Sequence, residues 1–107
     1  MTTQTIERTT LSNLVSNEEY CRKVLPFIKA DYFDVKEERV VFEEITNFVE
    51  KYKRIPTKIS LEIEVESRKD LTEDQHTKIV EIIQTLDATD VDMEWLVDTT
   101  EKFCKDK

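Results

Sequence analysis

The chain contains no glycine in 107 residues, where an average sequence of that length carries about seven. Glycine is the residue that supplies positive φ and close backbone approach, so its absence removes the phosphate-cradling and dinucleotide-binding loops that depend on a missing Cβ. Two-residue hairpins also lose their usual turn residue, which argues against an all-β fold and moves the expectation to an all-α one. At 12.7 kDa one hydrophobic core is affordable and a second is not. With no internal repeat, low-complexity stretch or Pro- or Ser-rich linker, residues 1–107 read as a single domain.

Hydrophobic spacing divides the chain into about six helical segments. Ile6, Leu11, Leu14 and Val15 share one helical face, and Asn17 followed by Glu18 and Glu19 starts a second helix that Pro26 stops. Asp34 and Glu37 have capping-box spacing ahead of Val41, Phe42, Ile45, Phe48, Val49 and Tyr52, which predicts a helix from about Val35 to Lys53. After Pro56 and Thr57, the residues Ile59, Leu61, Ile63 and Val65 alternate strictly with polar ones. Period alone makes that a strand, but no partner strand exists to satisfy its backbone, so helix is the better reading. Thr72 and Gln75 form a further capping box, with His76, Ile79, Val80, Ile83 and Leu86 tracing a stripe to about Asp87. The last helix begins near Asp90 to Asp92 and buries Met93, Leu96, Val97, Thr100 and Phe103. Lys102, Lys105 and Lys107 suit its C-terminus, but no Gly or Pro ends it.

The chemistry visible in one dimension is sparse. Sixteen cations against 24 carboxylates give a net charge of −8, the wrong sign for a surface that neutralises phosphates, so direct nucleic-acid binding is not expected. No stretch of about 18 apolar residues occurs, and Met1, Thr2, Thr3, Gln4 and Thr5 do not open a leader, so no membrane partner and a cytoplasmic location are expected. Cys21 and Cys104 read as reduced core residues. His76 is the sole histidine, and with neither a second histidine nor a CxxC pair it supports no metal site and no catalytic residue. Asp90, Asp92, Glu94, Asp98 and Glu101 fall at calcium-loop positions, but Trp95 stands where that loop needs glycine. The pairs Glu37 with Glu38 and Glu43 with Glu44 read as the wet side of a helix. Lys51, Lys53, Arg54 and Lys58 make the one local basic cluster, open to a phosphate or partner contact or to simple compensation of a helix C-terminus. Trp95 lies off its helix's main stripe and is either an interface anchor or peripheral core.

Several short segments carry a resemblance: Leu11-Ser12-Asn13-Leu14, Lys23-Val24-Leu25-Pro26-Phe27, Asp31-Tyr32-Phe33, Ile55-Pro56-Thr57, Trp95-Leu96-Val97 and Thr100-Glu101-Lys102-Phe103. In their order and spacing the chain resembles the N-terminal domain of the phage (T-even-like) replicative DNA helicases, within the hexameric DnaB-like family that includes the bacterial replicative helicases. The resemblance implies a helix over Thr57 to Arg68 and a helical collar domain above a ring of ATP-driven motors. It implies docking of primase and of neighbouring subunits, with no catalysis by this chain. ATP and magnesium would belong to a motor domain outside it. The last helix would be the start of a truncated helical hairpin through which subunits pair, making Trp95, Phe103 and Cys104 the candidate interface residues. The alternative is a free-standing acidic phage protein that binds a host factor or mimics DNA.

Overall fold

A computed structural model describes residues 5–88 and 90–106. Met1 to Gln4, which the leader reading involved, and Lys107, assigned above to a helix C-terminus, lie outside them. Among the described residues there are six α-helices and no strand: α1 (Ile6–Leu14), α2 (Glu18–Val24), α3 (Lys36–Tyr52), α4 (Lys58–Glu66), α5 (Glu73–Gln84) and α6 (Met93–Lys105). Single 3₁₀ turns at Leu25–Phe27 and Ala30–Tyr32 link α2 to α3. The radius of gyration is 13.1 Å, close to the ~13 Å of a chain this long wrapped round one core.

Local chemistry starts the helices where side-chain acceptors stand ready for orphan backbone N–H groups. Thr5 caps α1, Asn17 caps α2 and Asp92 caps α6. Thr57 with Ser60, and Thr72 with Gln75, close reciprocal capping boxes on α4 and α5. The exception is α3. Val35 occupies its N-cap without a side-chain bond, one residue beyond the Asp34 cap expected from sequence. Instead Glu38 turns inward, accepting a hydrogen bond from Arg8 Nε at 3.1 Å. At the other end of α3, Lys53 adopts φ 58°, ψ 33° and donates its N–H to Val49 O at 2.8 Å. This is the left-handed closure that glycine ordinarily makes, here made by a lysine because the chain has no glycine.

The central helix α3 buries Val40, Val41, Phe42 and Ile45 and packs on α1, α4 and α5, while α6 packs on α1 and α2. Leu11, Leu14, Tyr20, Leu61, Val65, Ile79, Ile83 and Leu96 complete the core from the other helices. Tyr20 and Thr100 share a buried 2.6 Å hydrogen bond that ties α2 to α6. Burial pushes the Tyr20 phenol above its ordinary pKa, so it stays neutral and keeps that bond.

The alternating segment is helical. At about 100° per residue, positions two apart fall on opposite sides of a helix and positions four apart on the same side. Leu61 and Val65 therefore face the core, and Ile59 and Ile63 face solvent, 68% and 55% exposed. Two of the four paired glutamates are likewise not on the wet side. Glu38 and Glu44 are buried because each meets an arginine, Arg8 and Arg68 respectively.

Candidate protein–protein interface

The surface offers few groups arranged for chemistry. His76 is half-buried in the first turns of α5. Residues 93–101 of the calcium-like run are helical, and Asp92 spends its carboxylate on Trp95 N–H at 2.9 Å. Among the described residues no group of three or more His, Cys, Asp or Glu side chains could hold a metal ion. None of the described helices is long and apolar enough to cross a membrane. Both thiols are free. Burial pushes Cys21 up to about 11 and raises Cys104 as well, which keeps both as weakly nucleophilic thiols.

The structure separates the three residues singled out on α6. Trp95 is 53% exposed. It sits among Asp92 and Asp98, one turn to either side, and Glu94 beside it. Phe103 instead turns towards the core, its ring centroid 6.4 Å from that of Tyr32 and 6.1 Å from that of Phe33. Cys104 is partly buried against the same core. Only Trp95 of the three thus presents a large apolar side chain to solvent. Ile59 and Ile63 form a second exposed apolar stripe that the sequence reading did not select. Its signal was present in the alternation, since a helix that alternates must expose half of its apolar residues.

The basic cluster after α3 is also divided. Lys58 turns to α5 and its end, donating to Gln84 O at 3.2 Å and pairing with Asp87. Lys51 and Arg54 flank the Tyr52 ring, their cationic centres 5.3 and 5.7 Å from its centroid. The left-handed turn at Lys53 then brings Lys53, Arg54 and Ile55 to the mouth of a cavity of about 210 Å³ between α2 and the end of α3. Its floor is apolar, made of Cys21, Leu25, Pro26, Val49 and Ile55. Arg22 completes a cationic rim with Lys53 and Arg54, and the one carboxylate at the rim, Glu18, is paired with Arg22 at 3.1 Å. No signal in one dimension marks this cavity, because nothing there joins α2 to residues thirty positions later.

Among the described residues the domain exposes aromatic and aliphatic side chains on separate helices, Trp95 on α6 and Ile59 and Ile63 on α4. Comparison with known proteins makes the class definite. The family model described as "DnaB-like helicase N terminal domain" matches residues 2–94. A protein of Enterobacteria phage T4 described as "DnaB-like replicative helicase" is 28% identical over 97 residues, which is 91% of this chain and 20% of that relative. The chain belongs to the DnaB-like helicase N-terminal domain family, and it spans about a fifth of the length of the phage relative it matches.

Proposed function

We propose that this chain is the assembly and partner-docking region of a replicative DNA helicase, making contacts with neighbouring subunits and with primase and performing no catalysis itself. ATP and magnesium, on this reading, serve a motor domain elsewhere in the parent protein, which works in the host cytoplasm. The observation that carries the reading is the family match over residues 2–94. The exposed Trp95 and the Ile59–Ile63 stripe support it, because large apolar side chains in water are characteristic of surfaces that associate. The compact fold around a single core supports reading residues 1–107 as one domain.

Light scattering on the 107-residue chain up to roughly 1 mM, where even weak association of a few kcal/mol registers, tests the assembly half. The expected result is a mass that rises with concentration above the 12.7 kDa of a single chain. Titration of the labelled chain with the primase of a T4-like phage tests the docking half, and saturable binding is expected. A mass fixed at one chain throughout, together with no primase binding, would refute the reading.

A further inference from the structure

The cation-rimmed cavity and the acid-ringed tryptophan are opposite in charge and matched in chemistry. At about 210 Å³ the cavity is below the ~300–1,000 Å³ of sites that hold drug-sized ligands, so it suits one large side chain better than a cofactor. Cys21, Leu25, Pro26, Val49 and Ile55 offer an apolar floor for a ring. Arg22, paired with Glu18, and Arg54, beside the Tyr52 ring, line the cavity and bring guanidinium groups to its rim. Glu18 is an acceptor within the same rim for an indole N–H, the one polar group a buried tryptophan must satisfy. Across the start of α6, residues 90–98 include Asp90, Asp92, Glu94 and Asp98 without a single cation, with Trp95 in their midst.

We infer that Trp95 of one copy inserts into the cavity between α2 and the end of α3 of the next copy, with Asp92 and Asp98 meeting Lys53 and Arg54 around it. The inference rests on the assembly reading above and supplies its contact. Two different patches on one chain meet in a head-to-tail sense, a heterologous contact that closes into a ring when its rotation permits. Charge complementarity selects this occupant. The chain as a whole is acidic, at −8, so like surfaces repel unless a local cationic patch receives an acidic one. Lys53 is held in a left-handed conformation, a strained state for a residue with a Cβ, and that turn is what places the rim.

Trp95 is the sole tryptophan, so its fluorescence reports the contact directly. In the wild type, emission is expected to shift to shorter wavelength and acrylamide quenching to fall as concentration rises towards about 1 mM. The same change should weaken with added salt. Arg54→Glu should raise the concentration needed for the shift at least about tenfold. The decisive arm mixes two variants. Trp95→Ala keeps the cavity and has no tryptophan, whereas Arg54→Glu keeps Trp95 and has a spoiled cavity. Neither should associate alone, yet adding the first to the second should shift the second's emission and give a 1:1 pair. Both positions are exposed, and unchanged circular-dichroism melts confirm that the variants fold. A mass that rises while Trp95 emission stays constant overturns this inference and leaves the assembly reading standing. Rising mass with a shift that Arg54→Glu leaves intact overturns it as well. Constant mass and constant emission overturn this inference together with the assembly half of the proposed function.

Discussion

Replacing Arg68 with alanine should expose how the two halves of the bundle are clasped. Arg68 follows α4 and reaches back to α3, donating to Glu44 Oε2 at 3.2 Å and Glu43 Oε1 at 3.3 Å, while a two-pronged contact at 3.0 and 2.8 Å holds Asp70. Glu44 is the partner that matters, because its carboxylate lies 10% exposed and Arg68 itself 21%. Loss of one member of a fully buried pair costs about 3–5 kcal/mol, against ~0.2–1 kcal/mol for an exposed pair. The remaining solvent contact of Arg68 puts the expected loss for Arg68→Ala near 2 kcal/mol, or about 10 °C in Tm for a domain of this size.

The pH dependence of that loss carries the argument further. Burial already raises the Glu44 pKa above its ordinary value, and Arg68 opposes the rise. Without Arg68 the rise grows, so Glu44 in the folded variant binds its proton more tightly than in the unfolded chain. A carboxyl raised in this way adds stability below its unfolded pKa of about 4.3 and loses it as pH rises through the folded value. Asp70 is held down to about 2 by its hydrogen bonds from Arg68, so its contribution is present above the unfolded pKa and lost as pH falls towards 2. The Glu44 effect makes the Arg68→Ala deficit larger at pH 7 than at pH 4, whereas the Asp70 contribution is still present at pH 4 and falls away only below it. Urea or thermal unfolding at the two pH values measures it, and Arg68→Ala with Glu44→Gln should recover about half of the neutral-pH loss. A deficit under about 0.5 kcal/mol at pH 7, or one that does not change with pH, would refute the reasoning.

Two further perturbations test the backbone and the burial pattern. Lys53→Gly should stabilise the domain by about 0.5–1 kcal/mol, because glycine adopts the left-handed closure of α3 without the Cβ strain, offset by its own chain entropy; thermal melts measure it, and a lower Tm would contradict the assignment of strain. Leu61→Ala should cost about 2–5 kcal/mol whereas Ile63→Ser, on the outer side of α4, should change stability by less than ~0.5 kcal/mol; equal losses in urea unfolding would mean that α4 does not divide its apolar residues as described.

The elements that sequence reveals well are those whose starts are written locally. Thr57 with Ser60, Thr72 with Gln75, and Asn17 each satisfy backbone donors within four residues, so spacing alone locates them. Where a residue answers to a distant partner instead, local spacing misleads. Glu37 and Asp34 have the right separation for a box, yet the N-cap of α3 is Val35 and Glu38 turns to Arg8, thirty positions away. Glu44 reads as solvated until Arg68 is seen to fold back over it. In the same way, the alternation from Ile59 to Val65 is a strand signal by period and a helix by necessity, since no other segment could pair with it.

The candidate interface divides along the same line. Trp95 is legible because its spacing sets it off the stripe formed by Leu96 and Thr100, and a large aromatic off the stripe must meet either water or a partner. Phe103 fits the stripe and accordingly packs against Tyr32 and Phe33, so it contributes to folding before it can contribute to contact. The cavity is invisible in the sequence because it needs three separated pieces: the α2 face bearing Cys21, the proline turn after it, and the left-handed reversal at Lys53. A chain without glycine makes that reversal at the expense of strain in a lysine. The strained residue is also the one whose turn carries the cationic rim into place, which links the most unusual feature of the composition to the surface best suited to receive an acidic partner.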